Sequence, residues 1–188
     1  MSDYTIKIRD AVIENKNFRG IEKQYNTAGS RNFTVTLTPD QEIAFEEKEN
    51  GAINRYIGTV HDLIKQGWNI RAHKSYNDET GTWEEDGNYI LSSVKISFRN
   101  PKYQPCIRYY PSTDAKTFVI MTEELLDPNG AYGAVLDDRY RPFAHCDLSI
   151  HGYNDAPGHV SAYVQNMAIV GVPTFFDEFG YDDGAGQY

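Results

Sequence analysis

The chain has 188 residues, 40% apolar and 24% charged, with a formal charge of −9 and fourteen tyrosines. That size and balance fit one globular domain with a substantial core and exclude a disordered or fibrous chain. No apolar run reaches membrane-spanning length, and residues 1–20 lack the apolar centre of a secretory leader.

Taken in chain order, the first element alternates. Tyr4, Ile6 and Ile8 face one way and Thr5, Lys7 and Arg9 the other, which predicts a half-buried strand with a basic outer face. Asn and Gly dominate "ENKNFRG" and "YNTAGS", so these read as loops. "RNFTVTL" alternates again with Phe33, Val35 and Leu37 inward. A helical insert is expected over 38–67: Thr38 caps it, Pro39 suits the first helical position, and Gln41 completes a capping box. Asn50-Gly51 interrupts the insert. Ile53, Ile57, Val60 and Ile64 then recur at helical spacing, and Gly67 stops it.

"WNIRAH" returns to strand, and 76–90 is read as an acidic loop or long hairpin tip. "SSVKISF" places Val94, Ile96 and Phe98 inside and Lys95, Ser97 and Arg99 outside. "CIRYY" and "KTFVIMT" follow as strands. Residues 123–142 look irregular, with a short helix at Glu123–Leu126. The last two runs, "FAHCDLSIHGY" and "HVSAYVQNMAIVGV", form a hairpin across "NDAPG". Cys106 and Cys146 lie in strand-like stretches without metal-like spacing, and are expected as buried free thiols in a reducing compartment. The expected fold class is mainly β, a small, partly closed antiparallel barrel with a helical insertion.

The charges are segregated. Asp40, Glu42, Glu46, Glu47 and Glu49 surround Lys48, which is therefore expected to lie outside any basic surface. Asp78, Glu79, Glu84, Glu85 and Asp86 form a second acidic stretch. Residues 1–37 and 89–122 instead carry more bases than acids. A polyanion feels the field within about 10 Å at physiological salt, not the net charge, so a binding face for nucleic acid survives the overall −9.

No phosphate loop, zinc-protease, deaminase or nucleophile-elbow motif is present, so no catalysis, metal or cofactor is expected. On a strand, His145, Asp147, Ser149 and His151 share one face and Cys146 takes the other, which reads as a polar outer face rather than a Cys–His pair. The informative pattern is bases interleaved with aromatics. Single-stranded nucleic acid needs cations for its phosphates and flat rings for its unstacked bases. The residues expected to line such a surface are Arg19, Lys23, Tyr25, Arg31, Lys95, Arg99, Tyr103, Arg108 and Tyr110, with Trp68 and Arg71 as weaker candidates.

The segments "NKNFRG…YNTAGSRNFTVTL", "GWNIRAHKS", "YQPCIRYYP" and "LSIHGYNDAPGHVSAYVQNMAIV" occur in an order that resembles a bacteriophage single-stranded DNA-binding protein family. The resemblance covers residues 5–172 in patches. It implies an oligonucleotide-binding (OB-fold) barrel over 1–174 that coats DNA in phage replication and recombination, in the bacterial host cytoplasm and without a metal. The long insert and the acidic loop depart from the family's pattern.

The closing "FFDEFGYDDGAGQY" at 175–188 has four acids, no base and no aliphatic run, and is expected to be a disordered acidic tail. By resemblance to the tails of replication single-strand binders, Asp177, Glu178, Phe179, Tyr181, Asp182 and Asp183 would recruit replication or recombination enzymes. The tail ends in Tyr188 where such tails commonly end in Phe. Two rival readings are a virion-associated structural or interaction protein and a metal-dependent nuclease built on the acidic clusters.

Overall fold

The structure is a computed structural model and describes residues 3–172. The expected tail lies outside the described residues. The fold is mainly β. Strand β1 (Asp3–Ile8) buries Tyr4, Ile6 and Ile8 as its alternation predicts. β2 (Val12–Asn17) pairs antiparallel with β3 (Arg31–Leu37), whose Phe33, Val35 and Leu37 are fully buried.

The helical insert does not form as expected. Residues 43–58 are a hairpin of β4 (Ile43–Glu49) and β5 (Ala52–Gly58), and only α1 (Val60–Gln66) is helical. Asn50 and Gly51 join the strands with φ of 50° and 83°, the pair of positive values a tight two-residue hairpin turn requires. Phe45 stacks on Tyr56 across the strands at 4.9 Å. Ile53 and Ile57, placed by their spacing on a helix face, instead sit exposed opposite Lys48 and Ala44. The capping pair closes a turn, the Thr38 N–H donating to Gln41 Oε1 at 3.3 Å. Gly67 does end a helix, at φ 94°.

Of the two readings of the acidic stretch, the structure shows the long hairpin and not the loop. β6 (Ile70–Asn77) and the fifteen-residue β7 (Thr82–Ile96) form a hairpin, paired from Ile70–Leu91 out to Asn77–Thr82. β8 (Cys106–Tyr110) and the short β9 (Val119–Ile120) follow. The helix expected at 123–126 is a single turn, the Leu126 N–H meeting the Thr122 carbonyl at 3.1 Å; α2 lies further on, at Gly133–Asp137. β10 (His145–Ala156) and β11 (His159–Val170) form the expected hairpin.

The strands form one sheet in the order β2-β3-β7-β11-β10-β1-β4-β5, with β6 added on β7 and β8 on β11. The sheet does not close, so it is not a clear barrel. It is also not purely antiparallel, because β11 runs parallel to both β7 and β8. The β7–β11 join is a single pair, Lys95 to Tyr163, with a lone Trp68–Val160 bridge as a second parallel link. One core backs the sheet. Ile6, Phe18, Phe33, Leu63, Ile107, Met121, Leu126 and Leu136 are at most 1% exposed, and each contributes about 1.5–3 kcal/mol by leaving water. Both thiols are free. Cys146 is buried and its pKa is raised by desolvation, whereas Cys106 is only half-buried, contrary to expectation.

Candidate nucleic-acid interface

Alternation puts one side chain in two on the face opposite the core. Strand pairing then lines these outward residues into rows. One row runs Glu46, Thr5, His151, Tyr163, Lys95, Asn32 across β4, β1, β10, β11, β7 and β3. A second runs Lys48, Asp3, Tyr153, Ser161. Apart from Asn32, these residues floor a groove of about 1180 Å³, and the loop after β7 walls it with Asn100, Lys102, Tyr103 and Gln104.

The groove carries four lysines, Lys7, Lys48, Lys95 and Lys102, against Asp3, Glu46 and Asp155. Two of those carboxylates are already engaged: Glu46 takes the Arg55 Nε–H at 2.9 Å, and Asp155 takes the Ser161 hydroxyl at 2.6 Å. Between the lysines lie rings. His151 packs edge-on to Tyr153 at 4.2 Å, and Tyr153 edge-on to Tyr163 at 5.7 Å. Edge-on packing fixes the rings without stacking them on one another, which leaves a base free to stack. Lys95 Nζ lies 5.4 Å from the Tyr163 ring centre and Lys102 Nζ 5.3 Å from that of Tyr103. Burial lowers the pKa of His151, and nearby Lys48 works in the same direction against Asp3. Desolvation, then Asp3, raises that of Tyr153.

The face continues along β8. Ile107 and Tyr109 are buried, so Cys106, Arg108 and Tyr110 point outward. Cys106 lines the groove; beyond it the Arg108 guanidinium carbon and the Tyr110 ring flank Phe118 at 5.8 and 5.3 Å. Exposed Arg99 lies in the loop whose next residue, Asn100, is part of the wall.

A family model described as "Putative phage ssDNA-binding domain" matches residues 3–110. The chain belongs to that family. No curated protein and no solved structure matches it. The matched span of this phage ssDNA-binding domain ends with β8, so it holds all four groove lysines and Tyr103. His151, Tyr153 and Tyr163 come from the hairpin beyond it.

The structure sorts the residues expected to bind. Lys95 and Tyr103 line the groove, Arg99 adjoins it, and Arg108 and Tyr110 extend its face. Lys23 and Tyr25 sit away from the lining, in the β2–β3 loop, where Lys23 bridges to Asn26 and Tyr25 is 93% exposed. Arg71 is exposed on β6 opposite Ile90, also outside the groove. Trp68 is a core residue instead: it is 4% exposed, it fills the space a Cβ on Gly152 would take, and its Nε1–H donates to Gln66 at 2.8 Å.

Arg19 is likewise structural. Its Nε–H donates to buried Asp137 at 3.0 Å, and that carboxylate also accepts the Phe18 and Arg19 N–H groups, fastening α2 to the end of β2. Arg31 pairs with Ile96 on the core side, only 11% of its side chain is exposed, and its guanidinium reaches Glu123 at 3.4 Å. Sequence reasoning did not bring Lys7, Lys48, His151, Tyr153 and Tyr163 together as groove-lining residues. The outward phase of Lys7 and His151 was the signal available. Among the described residues, no group of three His, Cys, Asp or Glu side chains is placed to hold a metal.

Proposed function

We propose that this chain coats single-stranded DNA during phage replication and recombination in the host cytoplasm, without sequence preference. The DNA would lie across the outer face of the sheet. The observation that carries this is the row of Lys95, Tyr163 and His151 beside Tyr153 and Lys48, cations and rings interleaved on one groove. Phosphates pair with the lysines and bases stack on the tyrosines, a mode that tolerates any sequence because every base has a flat face. The Arg108–Phe118–Tyr110 cluster would take further nucleotides. The tail at 175–188 would serve partner enzymes rather than DNA, given its four acids and no base.

The test is a fluorescence titration with single-stranded and duplex oligonucleotides. Single strands should bind more tightly, with log affinity falling against log salt at about 0.7 per phosphate contact. Tyr163→Ala should lose roughly 1–3 kcal/mol of binding, about the value of one stacked base. Lys95→Ala should weaken binding and flatten the salt slope. Equal affinity for duplex DNA, or no salt response, overturns the reading in favour of a virion or interaction protein.

A further inference from the structure

The outer half of the β6–β7 hairpin has no core behind it. Apart from half-buried Asn77, residues 74–87 are all exposed, and they carry Asp78, Glu79, Glu84, Glu85 and Asp86 against Lys74 alone. A bare two-stranded ribbon is marginal in water, so something must stiffen this one. Tyr76 and Trp83 lie directly opposite each other and pack edge-on at 5.6 Å. Glu84 accepts from Asn77, Thr80 and Thr82, which holds its carboxyl below the usual range. At the base, His73 contacts Asp86 at 2.5 Å and Glu14 at 3.5 Å.

The result is a braced arm that displays carboxylates and a pair of rings, with Tyr76 52% and Trp83 68% exposed. Exposed tryptophan of that degree is a frequent anchor in protein interfaces. DNA is the wrong partner for an arm of that charge. A surface with cations and rings interleaved is the right one, and this molecule has one: the groove.

The arm cannot reach the groove of its own chain. Trp83 and Lys95 lie on the same strand, twelve residues and about 40 Å of strand apart, and both segments are held by their neighbours. We propose that, without DNA, the acidic arm of one copy docks in the lysine- and tyrosine-lined groove of a second copy, and that single-stranded DNA displaces it. The carboxylates stand where phosphates would, and Trp83 and Tyr76 where bases would. This rests on the groove being the DNA site. Because arm and groove are different surfaces, the contact is head-to-tail and propagates into short open chains.

Trp83 reports on the contact, since the other tryptophan, Trp68, is buried. The full chain is followed by sedimentation and by iodide quenching of tryptophan, with an oligothymidine as the DNA probe. At low salt without DNA, self-association and shielding of Trp83 are expected. High salt, or one equivalent of oligothymidine, should release monomers and restore quenching. A Glu84→Gln, Glu85→Gln variant should be monomeric and bind oligothymidine at least threefold more tightly at low salt. Lys95→Glu should lose both self-association and DNA binding. If Lys95→Glu binds DNA normally, the groove assignment fails. If the wild type is monomeric at low salt, if DNA shields Trp83, or if the arm variant still self-associates, the docking proposal fails while the groove assignment stands.

Discussion

Single residues separate two uses of positive charge. Arg19 neutralises a buried carboxylate, and Lys16 is buried with its Nζ on the carbonyls of Asp138 and Arg141, both at 3.0 Å. These cations hold α2 and the following loop to β2. Arg19→Ala should therefore cost about 2–3 kcal/mol in denaturant unfolding and leave DNA affinity per folded molecule unchanged. Loss of affinity without loss of stability would return Arg19 to the interface.

His151 gives a pH prediction. Its folded pKa is depressed from an ordinary value of about 6.5, so the unfolded chain binds its proton more readily. Stability is full above about pH 6.5 and falls as the pH drops through the window below it. Thermal midpoints should show this decline, and His151→Gln should lessen it. The burial of Arg31 was legible in the sequence, because it shares the parity of inward Phe33 and Val35. Its charge invited the opposite reading, and the backbone phase won.

At the scale of elements, the strands with clean alternation were legible: β1, β3 and the second half of β7. The β4–β5 hairpin was not legible because two local signals compete. Isoleucines at helical spacing argued for a helix, while Asn50-Gly51 between alternating runs argued for a hairpin. The turn prevailed because Ile43, Phe45 and Tyr56 pack toward the core only as strands. Gly67 shows how firmly the next element is fixed. It ends α1 at positive φ, and a Cβ there would meet the Gly158 carbonyl oxygen at 2.4 Å. Gly67→Ala should cost about 2 kcal/mol or more, from left-handed strain plus that clash. Gly51→Ala, also at positive φ but with open space around it, should cost less. Equal losses in chemical denaturation would mean that the approach to Gly158 carries no weight.

For the whole molecule, net charge misleads because acids and bases occupy different surfaces. Removing 177–188 takes away four acids and no base, moving the formal charge from −9 to −5. Single-stranded DNA should then bind more tightly at low salt, where screening is weakest, with an unchanged thermal midpoint. A paired affinity and melting measurement checks both halves, and unfolding on truncation would make the tail part of the fold. The groove itself was not legible in the sequence. Its rows join β1, β4, β7, β10 and β11, strands distant along the chain, and no local pattern says that Tyr163 pairs with Lys95.

That pair has a mechanical meaning. In sheet order, β2, β3 and β7 join β11, β10, β1, β4 and β5 through the single Lys95–Tyr163 pair, with the Trp68–Val160 bridge as a second link. The groove lies over that join. A nucleic-acid strand laid across it would act as a splint, its phosphates held by Lys95 on one side and by Lys7 and Lys48 on the other. Tension on the DNA would then pass through the join with the fewest backbone pairs in the sheet.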